Sequence, residues 1–141
     1  MTEEQLSRLP QRLQDAYQYY CITDNLKGLS MKSIILTKKN QDQVDKFLTE
    51  LEHAEKFYEY GLTNINKILS YGASGTGKTF LAKCVAAQYG LELITVDIAN
   101  IISAGDAYKE LVAVFDLARC VKHSIIFLDE CDAIARERGA L

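Results

Sequence analysis

Between Gly72 and Thr79 the chain reads Gly72-Ala73-Ser74-Gly75-Thr76-Gly77-Lys78-Thr79, a Gly-x-x-x-x-Gly-Lys-Thr pattern that follows a short apolar run and opens an amphipathic stretch. Few patterns restrict a fold so much. The glycines let successive amides curl toward one point, and the helix expected next adds the positive end of its dipole. Such a cradle suits the phosphates of a nucleotide. Lys78 is expected to reach the β- and γ-phosphates, and the Thr79 hydroxyl to ligate magnesium. A glycine-rich turn without function accounts for the glycines but not for the Gly-Lys-Thr ending.

A second chemical signal lies about fifty residues downstream, where Ser124-Ile125-Ile126-Phe127-Leu128 runs into Asp129-Glu130. An apolar run ending in two acids is what a buried parallel strand needs when its C-terminal tip faces a ligand crevice. The acids can divide the work: Asp129 holding magnesium through its water, Glu130 orienting and deprotonating the attacking water.

Around these signals the order from residue 67 is strand, helix, strand, helix, strand. The expected elements are Lys67 to Tyr71, Lys78 to Tyr89, Leu91 to Asp97, about Asp106 to Val121, and Ser124 to Asp129. Such alternation predicts an α/β fold with a parallel sheet and crossover helices. Upstream, Thr2-Glu3-Glu4-Gln5 has the form of a capping box, and Leu6, Leu9, Leu13, Tyr17 and Tyr20 recur at helical spacing. Pro10 either kinks this helix or marks its true first turn. Asp24 to Ser30 reads as a loop and Ser33 to Thr37 as a β-branched run. A helix capped by Asn40 is expected over Gln41 to Tyr60, closed by Gly61.

Bulk properties exclude several classes. With 16 basic and 19 acidic residues mixed along the chain, there is no basic stripe to follow a nucleic acid backbone. The longest apolar runs fall well short of the roughly 20 residues that span a bilayer, and the acidic start lacks the layout of a signal peptide. Cys21, Cys84, Cys120 and Cys131 form no Cys-x-x-Cys pair, which fits a reducing cytoplasm. Cys120, His123, Cys131 and Asp132 could supply zinc ligands, but a strand is expected to separate the first pair from the second, and they read as ordinary residues of helix and strand.

Tyr71 to Thr79 and Ile126 to Ala135, with their spacing, resemble the Walker A and Walker B motifs of the AAA+ ATPases, and Val114-Phe115 to Ala118-Arg119 is similar to the helix before Walker B. The resemblance covers about Lys67 to Gly139. It implies a P-loop NTPase core of three-layer α/β/α type, incomplete here and preceded by N-terminal helices. Residues 1–30 then form an N-terminal helical segment and residues 31–141 a partial AAA+ core. ATP and Mg2+ are the implied cofactors. Gly72, Ala73, Ser74, Gly75, Thr76, Gly77, Lys78, Thr79 and Phe80 would bind the nucleotide, Thr79 and Asp129 the metal, and Lys78 and Glu130 would be catalytic. A homo-oligomer acting on a macromolecular substrate, a protein rather than a nucleic acid or membrane, is the implied setting.

Three departures from the family pattern qualify this. Ala73 and Ser74 replace two prolines, a change expected to spare nucleotide binding. Ser103-Ala104-Gly105-Asp106 has no aromatic before Gly105, unlike the loops of substrate-threading relatives. Within 141 residues the family's sensor strand, arginine finger and helical lid do not occur. Without the sensor strand the two Walker strands lack their shared neighbour, so these 141 residues alone are expected to be partly molten or self-associated. A rival reading is therefore a non-catalytic module whose nucleotide occupancy orders the fold or governs a partner. A small-molecule P-loop kinase ranks third. Arg136 and Arg138 are read as a solvated helix end, with a subunit interface as the alternative.

Overall fold

A computed structural model describes residues 1–62, 67–73, 75–121 and 123–139, with only the backbone of residues 135 and 137–139. The chain begins with two short helices, α1 (Glu3–Ser7) and α2 (Gln11–Tyr20). Thr2 and Gln5 exchange the two hydrogen bonds of a capping box at the start of α1, as expected. Pro10 does not kink a continuous helix; it stands as the N-cap of α2, where its missing amide costs nothing.

Strand β1 (Cys21–Ile22) follows α2 directly and was not expected from the sequence. Two residues carry no periodicity to read. A single 3-10 turn, Met31–Ser33, then replaces the start of the expected β-branched run, because Ser30 and Ser33 side chains bond the turn's own amides. Helix α3 (Lys38–Glu52) is capped by Thr37, three residues before the expected Asn40. It breaks at His53, whose Nδ1 lies 2.8 Å from the Thr49 carbonyl that also accepts the His53 amide. The remainder of the expected helix is α4 (Ala54–Glu59).

The αβα alternation is present from residue 78 on. It comprises α5 (Lys78–Tyr89), β2 (Glu92–Val96), α6 (Ile98–Ser103), α7 (Ala107–Cys120), β3 (Ser124–Leu128) and α8 (Asp132–Gly139). The bounds of α5, α7 and both strands agree with the sequence reading to within a residue or so. Helix α6, capped by Asp97, was missed because six residues are too few for a helical period to register.

The sheet order is β1-β2-β3, with β2 and β3 parallel and β1 antiparallel to β2. Alternation along the strands divides the core into two. Ile94, Val96, Ile126 and Leu128 face the helices α2, α6 and α7, against Ala16, Ile101, Ala113, Val114 and Ala118. On the other side Ile125 meets Leu81 and Val85 of α5 and Val44 and Leu48 of α3. Three layers result, in keeping with an incomplete α/β P-loop NTPase fold. Arg12 of α2 donates to Asp116 of α7 across 2.8 Å and, with Arg119, holds that carboxyl below its usual range.

One expected strand is corrected. Lys67 to Tyr71 forms no ladder, and Tyr71 is 88% exposed. A strand exists only where its amides and carbonyls find a partner. Among the described residues β3 has a neighbour on one side alone, and Lys67–Tyr71 does not pair along its free side.

Candidate functional site

Gly77 begins α5 in the left-handed region, with φ of 88°, a conformation that glycine adopts without steric cost. This turn brings Lys78 and Thr79 into the first turn of the helix. Gly72 matters for a different reason: a Cβ built on it would meet Thr76 Oγ1 at 3.2 Å. Thr76 Oγ1 donates to the Ala73 carbonyl at 2.7 Å, closing the loop on itself. Lys78 Nζ donates to the carbonyls of Gly72 at 2.8 Å and Ala73 at 3.0 Å. The cation thus rests on two carbonyls of the loop. Ser74 lies outside the described residues.

From the other motif, Asp129 leaves the C-terminal end of β3 and its Oδ2 accepts the Thr79 hydroxyl at 3.3 Å. Two hard oxygens from elements fifty residues apart meet at a half-buried point beside the α5 N-terminus. Oxygen donors of this kind fit Mg2+, which keeps several waters and takes one or two protein ligands. Lys78, the loop amides and the helix dipole fit the phosphates beside it.

Glu130 is placed differently from its neighbour. It is exposed, with φ of 53°, and its amide donates to Asp129 Oδ1 at 3.0 Å while its carbonyl accepts the Ala133 amide. A non-glycine residue in that region costs about 1–3 kcal/mol and persists where surrounding bonds hold it. Phe80 is the third residue of α5 and is exposed. Arg136 pairs with Asp132 one turn away on α8, both side chains exposed; the Arg138 side chain lies outside the described residues.

Sequence reasoning missed one contributor. Asp24, in the loop after β1, accepts the Thr95 hydroxyl at 2.5 Å and pairs with Lys83 Nζ at 3.2 Å. Lys83 follows Thr79 by one helical turn, on the same face of α5. Asp24 thereby ties α5 to the C-terminal end of β2. No pattern signals this, since the three residues come from three separate elements. A cavity of about 300 Å³ opens beside it, lined by Tyr17, Cys21, Asp24, Leu91, Glu92 and Ile94 among others. None of its lining residues belongs to the loop or to the Asp129-Glu130 pair.

Among the described residues no group of three or more His, Cys, Asp or Glu side chains could hold a metal by itself, and no helix is long and apolar enough to cross a membrane.

Comparison with known proteins gives this geometry its context. The model of the ATPase family associated with various cellular activities (AAA) matches residues 68–140. The chain is similar to the ATP-dependent zinc metalloprotease FtsH 1 of Thermoanaerobacter sp. (strain X514), 30% identical over 121 residues covering 84% of this chain and 20% of the relative. It is also similar to the ATP-dependent zinc metalloprotease FtsH 3 of Symbiobacterium thermophilum, 28% identical over 121 residues, 84% of this chain and 19% of the relative. The chain therefore spans about a fifth of the length of these relatives. With the family pattern running through just over half of its residues, the chain belongs to the AAA ATPase family.

Proposed function

We propose that this chain is the ATP-binding module of an ATPase that hydrolyses ATP with Mg2+ and uses the energy to remodel a macromolecular substrate. The observation that carries the reading is the meeting of Thr79 and Asp129 at the mouth of the phosphate loop. Lys78 is assigned to the outer phosphates, the amides from Gly72 to Thr79 to the phosphate cradle, and Phe80 to the same segment. Thr79 and Asp129 hold the metal, directly or through its waters. Glu130 is the base that orients and deprotonates water. Bound magnesium supplies charge neutralisation at the phosphates. The relatives are named as ATP-dependent zinc metalloproteases, and the matched stretch carries the nucleotide site, so ATP dependence is the part of that name proposed for this chain. A protein substrate and assembly through the ATPase core belong to the same proposal.

The test is calorimetric titration of the 141-residue chain with ATP, with and without magnesium, followed by phosphate release on the same sample. Magnesium-dependent binding supports the reading, and a chain that unfolds cooperatively yet binds no ATP under either condition sinks it. A second reading, a module that binds nucleotide without hydrolysing it, is favoured by Lys67–Tyr71 lying outside the sheet just before the loop. Binding without phosphate release would select it.

A further inference from the structure

The Ala73 carbonyl has two donors, Thr76 Oγ1 at 2.7 Å and Lys78 Nζ at 3.0 Å, whereas the Gly72 carbonyl takes Lys78 at 2.8 Å. Resting on the ATP reading above, Lys78 must leave both carbonyls to reach the outer phosphates. Gly72 and Ala73 are exposed, so water can replace the ammonium there. Water does not replace a covalent tether. The Thr76 hydroxyl is attached to the loop it spans, three residues from the carbonyl it holds, and it lies against the open side of Gly72, where a Cβ would crowd it at 3.2 Å.

We propose that the Thr76 side chain is a positioning residue of the nucleotide site, whose hydroxyl braces the loop through the Ala73 carbonyl while Lys78 exchanges that carbonyl for phosphate. The backbone amides do the binding; the hydroxyl holds the Ala73 carbonyl in place. Gly72 and Thr76 act as one unit in this brace, because a Cβ at residue 72 would crowd the hydroxyl at 3.2 Å and make it shift.

Two substitutions separate the hydroxyl from the shape of the side chain. Thr76→Val keeps the branched shape and removes the donor; Thr76→Ser keeps the donor and removes a methyl. Magnesium-ATP affinity is measured by calorimetry, and hydrogen exchange of the loop amides is measured without nucleotide. The expected result is ATP binding weaker by about 3- to 10-fold in Thr76→Val, as for one hydrogen bond, with faster loop exchange before any ligand is added. Thr76→Ser should match the wild type in both. Three results overturn the proposal: Val equal to wild type in both measurements, Ser as impaired as Val, or weaker binding in Val with unchanged exchange, which would mean that the hydroxyl touches ligand instead. A wild-type chain that unfolds cooperatively yet binds no ATP overturns the ATP reading, while the exchange comparison still decides whether the hydroxyl braces the loop.

Discussion

Thr79 donates its hydroxyl hydrogen to Asp129 across 3.3 Å although fifty residues of chain separate the two. The contact exists because α5 begins at Lys78 and β3 ends at Leu128, so that the first turn of one and the tip of the other meet. If both oxygens serve one magnesium ion, removing either should cost the magnesium-dependent share of ATP affinity and little else. Titration of Asp129→Asn and Thr79→Ala with ATP should give similar affinities with and without magnesium. A full magnesium effect in either variant would remove that residue from the metal site.

Glu130 touches neither Thr79 nor Lys78 through any hydrogen bond among the described residues, and its side chain is exposed. A base acts on water rather than on the nucleotide itself. Glu130→Gln should therefore slow phosphate release by roughly 10²–10⁴-fold while leaving ATP affinity intact. The measurement belongs on a chain that hydrolyses ATP; equal loss of binding and turnover would reject the assignment.

Asp24 joins Thr95, a buried polar residue on β2, to Lys83 on α5. Asp24→Ala leaves the Thr95 hydroxyl without this acceptor and Lys83 without this partner. Losing bonds of this kind costs about 1–3 kcal/mol. Urea unfolding should show a lower midpoint by a corresponding amount, and an unchanged midpoint would mean that solvent replaces both contacts.

The four cysteines divide by burial. Cys120 and Cys131 are exposed, Cys84 is buried, and burial pushes the Cys21 thiol from 9.0 up to about 12. A thiol-specific reagent at mildly alkaline pH should modify two cysteines quickly and two slowly. Because the folded state holds Cys21 protonated, its contribution to stability is complete below the ordinary thiol value of 9.0 and is lost as pH rises toward about 12. Replacing Cys21 with Ala should flatten the fall of the unfolding midpoint across that window. Four equally fast thiols, or identical pH profiles, would contradict the burial.

Local chemistry made much of this protein legible before its structure. Gly77 and Lys78 announce a tight turn into a helix, Thr2 with Gln5 a capped start, and the Ile125–Leu128 run a strand, half-buried in the fold, because each signal is contained within a few consecutive residues. Asp129 and Thr79 could be named as partners from the pattern of the two motifs. The lower-lying features came from tertiary structure alone. Asp24 reaches Thr95 and Lys83 only after three elements pack, and β1 exists only because Val96 is there to pair with Cys21. Lys67–Tyr71 has the residues of a strand and forms none, since a strand is a relation between two segments and its ladder depends on a neighbour that no run of its own residues can supply.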